Sequence, residues 1–88
     1  MKLKENFALR QVADTWVVLP LGAAAVDFQG MLTLNESGAL LWRQLEQGGR
    51  ENDLVDTLTK NYTVSREEAQ IDVDAFLQKL AEAGCLEV

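Results

Sequence analysis

Few side chains in this sequence could make or break bonds, and their spacing argues against it. There is no histidine, which removes the usual general base, the Ser-His and Cys-His nucleophile pairs and the commonest zinc ligand. The single cysteine, Cys85, has no basic neighbour in sequence to lower its pKa, and alone it makes neither a disulfide nor a metal-site spacing. Gly48-Gly49 is followed by Arg50, without the lysine and hydroxyl of a phosphate-binding loop. The carboxylates Glu67, Glu68, Asp72 and Asp74 form one run, suited to compensating a helix dipole and solvating a helix face. The expectation is a non-enzyme that needs no cofactor and no metal. What remains is the chemistry of binding.

The partner class is narrowed by charge. Of the net charge of −6, none arises from residues 1–50, where five acids face five bases; residues 51–88 hold nine acids against Lys60, Arg66 and Lys79. Such a surface repels phosphate, so nucleic acid is not the expected partner. No run approaches the roughly 18 apolar residues that span a bilayer, and no apolar run follows Met1-Lys2-Leu3-Lys4 as in a signal peptide. A cytoplasmic protein without membrane contact is expected, folded as a single domain over residues 1–88, because 88 residues with 48% hydrophobic content suffice for one core. The oligomeric state is left open.

Local patterns supply the elements. Phe7 to Val12 and Thr15 to Pro20 are β-rich runs separated by Ala13-Asp14, which predicts a tight hairpin. The second run is apolar on both faces and so is expected at the centre of the sheet, with Pro20 ending it. Ala24 to Phe28 fits strand and irregular chain equally; Met31-Leu32-Thr33-Leu34 fits a strand with Leu32 and Leu34 on one face. Asn35 is a strong N-cap for a helix from Glu36 to Glu46, in which Gly38 costs on the order of 1 kcal/mol against alanine. That cost implies that something else approaches this backbone closely, most simply the strand just before it. A second helix is expected from Glu51 to Tyr62 with the stripe Leu54, Val55, Leu58, Tyr62. Ser65-Arg66-Glu67-Glu68 is a capping box opening a third, with core stripe Ala69, Val73, Phe76, Leu77 and Leu80 and with Gly84 as its C′ residue. The fold class is therefore α+β: three or four N-terminal antiparallel strands followed by three helices, in a winged helix-turn-helix-like order.

That order, with these residues, resembles the PqqD-like family, small domains also called RiPP recognition elements. The resemblance is carried by Phe7-x-Leu9-Arg10-x-Val12, Val17-Val18-x-Pro20, Phe28-x-Gly30-Met31-x-x-Leu34-Asn35-Glu36-x-Gly38 with Leu41-Trp42, Val73-x-x-Phe76-Leu77-x-x-Leu80, and Ala83-Gly84-x-Leu86. Arg50 departs from the hydroxyl cap the family often has there, and Gln29 from the Asn before Gly30. The resemblance implies a non-catalytic chaperone that captures the leader of a ribosomally synthesised precursor peptide. It presents that leader to a peptide-modifying enzyme, frequently a radical SAM protein. The leader would add a strand beside the last strand of the sheet, in a groove bordered by the third helix.

The sequence permits that physically. Strand addition needs a bare edge and apolar pockets beside it, and Met31, Leu32, Thr33 and Leu34 carry neither proline nor charge. On the third helix, at about 100° per residue, Ile71 and Ala75 lie away from the core stripe where polar residues are expected; with Gln78 they are candidates for the groove wall. Asp72 and Asp74 are candidates for selecting basic leader residues. The alternatives are a winged-helix DNA-binding protein, which the acids on the third helix oppose, and a scaffold subunit.

Overall fold

The computed structural model describes residues 2–22 and 32–87. The strand candidate Ala24 to Phe28 and the site candidate Met31 lie outside the described residues. The elements are β1 (Lys2–Leu3), β2 (Phe7–Val12), β3 (Thr15–Pro20), β4 (Leu32–Leu34), α1 (Glu36–Glu46), α2 (Glu51–Asn61), α3 (Arg66–Glu82) and β5 (Leu86–Glu87). The fold is α+β, with three helices after an antiparallel β2-β3-β4 sheet and a second, two-stranded sheet of β1 with β5.

The β2–β3 hairpin turns on Ala13-Asp14, with Val12 opposite Thr15. As expected of an apolar run, β3 is the central strand, and Val17 and Val18 are buried on its two faces. Pro20 costs this hairpin nothing. In a two-residue hairpin the closing pair is hydrogen-bonded and bonded pairs then alternate. Val12/Thr15, Arg10/Val17 and Ala8/Leu19 are therefore bonded, whereas Phe7/Pro20 is not. The 2.7 Å bond from Leu21 N–H to Asn6 O continues the same series.

The core joins Val18, Leu32 and Leu34 of the sheet to Leu41, Trp42 and Leu45 of α1, Leu54, Val55 and Leu58 of α2, and Ala69, Val73, Phe76 and Leu80 of α3. Each helical set follows the 3.6-residue period, so one stripe per helix faces the common core. Leu77 is half-buried, and Tyr62, expected in the α2 stripe, instead caps the C-terminus of α2 with 36% of its surface exposed. Trp42 is a core residue; Trp16 is half-buried and carries the Arg43 guanidinium 4.6 Å from its ring centroid, a cation–π contact.

Asn35 caps α1 by accepting from Gly38 N–H at 2.8 Å. A Cβ on Gly38 would lie 3.1 Å from Asn35 Oδ1 and 3.3 Å from Leu34 Cβ. The close neighbours that the glycine implies are thus the cap Asn35 and, just behind it, the last residue of the preceding strand. Helix α3 opens on Ser65, whose Oγ accepts from Glu68 N–H at 3.1 Å. It closes in a Schellman turn, Cys85 N–H to Leu80 O at 2.9 Å and Gly84 N–H to Ala81 O at 3.1 Å, with Gly84 at φ +79°. Lys4 N–H then bonds Cys85 O at 2.8 Å, which leads into the β1/β5 pair. That two-stranded sheet was not foreseen from sequence, because two-residue strands carry no periodic signal.

At the start of α2 the N-cap is Arg50, whose side chain has no acceptor atom to offer. Half of a capping box nevertheless forms, Arg50 N–H donating to Asp53 Oδ2 at 2.8 Å. Arg50→Ser should complete it and raise stability by about 1 kcal/mol, read as a higher midpoint in urea unfolding at unchanged slope.

Candidate functional site

Between β4 and α3 lies an open groove of about 650 Å³, lined from the sheet side by Thr33, Leu34 and Asn35 and from α3 by Asp72, Ala75, Phe76 and Lys79. The hairpin residues Asp14 and Thr15, Ser37, Gly38 and Leu41 at the start of α1, and Leu58 of α2 complete it. The α3 residues are spaced i, i+3, i+4, i+7 and so form one face. That face shares Phe76 with the core stripe.

What the groove offers a ligand is decided by the strand alternation. In β3, Val17 directs its peptide groups to β2, so Trp16 and Val18 direct theirs to β4, where they meet Leu34 and Leu32. Thr33, opposite Val17, is then in a non-bonded pair, and its N–H and C=O both point away from the sheet. Consistent with that direction, Lys79 Nζ reaches from α3 and donates to Thr33 O at 2.8 Å. Among the described residues, β4 pairs with β3 alone. Charge protection of an edge strand normally comes from the strand itself. Here the strand has none, and a lysine from a helix supplies it.

The sequence candidates separate accordingly. Thr33, Leu34 and Ala75 line the groove, Thr33 and Ala75 being exposed. Leu32 is buried and bonds towards β3. Ile71 is 67% exposed and stands outside the groove lining, as does Gln78, whose Nε2 bonds Glu82 Oε1 at 3.3 Å along the helix. The helical-wheel reading expects Ile71 and Gln78 on the wall, whereas this groove runs along the neighbouring row of α3, because the core stripe alone does not say on which flank β4 lies. Phe76 and Lys79 line the groove without having been candidates, since one reads as core and the other as solvated charge.

Of the two acids considered for basic ligands, Asp72 lines the groove and Asp74 does not. Asp74 belongs to a cluster with Glu51, bridged by Gln70 Nε2 at 2.9 Å to Asp74 Oδ1 and 2.8 Å to Glu51 Oε1. Hydrogen bonding with Asp74, with desolvation and the Asp74 charge behind it, holds the Glu51 carboxyl above its usual 4.5, against the opposing pull of Gln70. A folded-state pKa above the unfolded one contributes stability that is fully present below the unfolded value and is lost as pH rises through the folded value. Asp74→Asn keeps an acceptor for Gln70 and removes the charge. It should raise the melting temperature at pH 7 and leave it unchanged below about pH 4, as followed by circular dichroism.

Cys85 is buried, and desolvation raises its pKa, more than the charge of Lys4 lowers it. Lys4 is the basic neighbour that linear sequence conceals, and it does not make the thiol reactive. Neither cation of α3 is idle: Arg66 pairs with Asp56 at 2.7 Å and Lys79 holds Thr33 O. No helix of the described residues is long and apolar enough to cross a membrane.

A strand edge that pairs with no other described strand, beside a helix-walled groove, is the arrangement the sequence resemblance implied, and residues 15–86 match the family model described as coenzyme PQQ synthesis protein D (PqqD). The chain belongs to the PqqD family. Two solved structures are similar to this PqqD-family chain over nearly their whole length. TbiB1 in complex with the TbiA(beta) leader peptide is 29% identical, with a TM-score of 0.79, covering 99% of this chain and 95% of that one. Lasso peptide synthetase B1 complexed with the leader peptide is 26% identical, with a TM-score of 0.75, covering 96% and 93%. No curated protein matches the chain.

Proposed function

We propose that this PqqD-family protein is a non-catalytic module that binds the leader of a ribosomally synthesised precursor peptide by strand addition to β4 and presents it to a peptide-modifying enzyme. The observation that carries this reading is Thr33, whose peptide N–H and C=O face the groove rather than the sheet, next to an α3 wall of Ala75 and Phe76. Main-chain bonds to Thr33 would hold the guest's backbone, and its alternate side chains would meet Leu34, Ala75 and Phe76. The two solved relatives, both complexes with leader peptides, support the same guest class here. The description of the second, a lasso peptide synthetase B1, also favours a precursor of the lasso type, while the family resemblance alone suggests a radical SAM partner.

A non-catalytic role is supported by the lack of histidine and by the buried Cys85 thiol with its raised pKa. Against a nucleic-acid reading stand the acids of α3 and the engagement of both its cations within the molecule. The proposed place of action is the cytoplasm, where precursor peptides are made.

Calorimetric titration with the leader of the precursor encoded beside this chain tests the proposal. Saturable one-to-one binding is expected for the leader and none for the core segment alone. Binding of duplex DNA in place of the leader, or no binding of the leader, overturns it.

A further inference from the structure

Lys79 crosses the groove in which a guest strand would lie. Its ammonium sits 2.8 Å from Thr33 O, the acceptor that an incoming N–H needs. A neighbouring strand runs roughly 4.8 Å from β4 in the plane of the sheet, which is the space the lysine head now fills. The guest must therefore move it.

Once moved, the ammonium loses a charge-assisted bond and stands beside a newly covered groove. Lys79 is exposed, so the freed ammonium either turns to water or takes a partner that the guest supplies. Lys79 is the single cation among the described groove residues, which otherwise contribute Asp14 and Asp72. On its own helix the acid within reach is Glu82, one turn on, which already accepts from Gln78 Nε2.

We propose, resting on the strand-addition reading, that Lys79 is a specificity-determining residue that selects leaders carrying a carboxylate beside the segment paired with Thr33. The guest carboxylate takes over the ammonium as the guest N–H takes over Thr33 O, so the exchange leaves neither group unpartnered. A leader with an apolar or basic residue at that point takes the same carbonyl but offers the ammonium no partner in exchange. The lysine thus discriminates among peptides that would otherwise form the same main-chain bonds, which are blind to sequence.

The test is a set of titrations at low salt of wild type, Lys79→Met and Lys79→Arg. The probes are the leader of the precursor encoded beside this chain and variants of it in which each Asp or Glu is singly replaced by Asn or Gln. One amide replacement should weaken binding to wild type and to Lys79→Arg by about fivefold, less at high salt, and leave binding to Lys79→Met unchanged. The inference is overturned if no acid position behaves so, as when Lys79 settles on Glu82, or if one replacement weakens all three proteins equally. It is also overturned if the leader binds tightly with no acid in the paired segment. In those cases the leader still binds and strand addition stands. Binding by Thr33→Pro as tight as by wild type would instead remove the strand-addition reading, and this inference with it.

Discussion

Thr33→Pro weakens leader binding by about tenfold or more while the protein stays folded; Leu32→Pro, one residue away, unfolds or strongly destabilises it. The contrast follows from the direction of two N–H groups. Thr33 lies opposite Val17 in a non-bonded pair, so its N–H faces the groove, and a proline ring there takes nothing from the β3–β4 ladder. The guest carbonyl that would have bonded it is left unsatisfied, at a cost of about 1–3 kcal/mol, which is on the order of tenfold to a hundredfold in affinity. Leu32 lies opposite Val18 in a bonded pair and is 7% exposed. Proline there removes a ladder bond from a three-residue strand and displaces a core side chain. Calorimetry with the leader and thermal melting separate the two. Equal affinity of Thr33→Pro and wild type would show that the guest does not pair with β4.

Ala75→Trp should weaken the same leader by about tenfold or more with little change in melting temperature. Ala75 is exposed on α3 yet lines the groove opposite Thr33 and Leu34. A large ring there occupies space the guest needs, and relieving such overpacking typically costs about 1–3 kcal/mol. Because the position is outside the core, the free protein has no comparable penalty. Ile71→Asp is the informative control. Ile71 is apolar and 67% exposed but outside the groove lining, so its effect on binding should stay within about twofold. If Ile71→Asp weakens binding more than Ala75→Trp, the guest lies further round α3 than the groove does.

Much of the frame was legible in the sequence because it rests on local rules. The capping box at Ser65, the cap at Asn35, the Schellman glycine Gly84 and the 3.6-residue stripes of three helices need no long-range information to be recognised. The two-residue gap at Ala13-Asp14 determined the hairpin register, and the apolar β3 announced itself as the central strand. Even Gly38 reported a contact, since a costly residue in a helix points to a neighbour that a Cβ would crowd.

Tertiary structure alone decided where the groove lies. Which flank of α3 faces β4 depends on how the helix docks, so Ala75 and Phe76 became wall residues and Ile71 and Gln78 did not. Lys79 and Thr33 are 46 positions apart, and no periodicity joins them. The pairing of β1 with β5 likewise links the two ends of the chain, through strands too short to leave a pattern. Residue type and spacing govern what each element is, because capping and periodicity act within a few residues. What the elements present to a ligand depends on packing between distant segments, and linear order carries that only weakly.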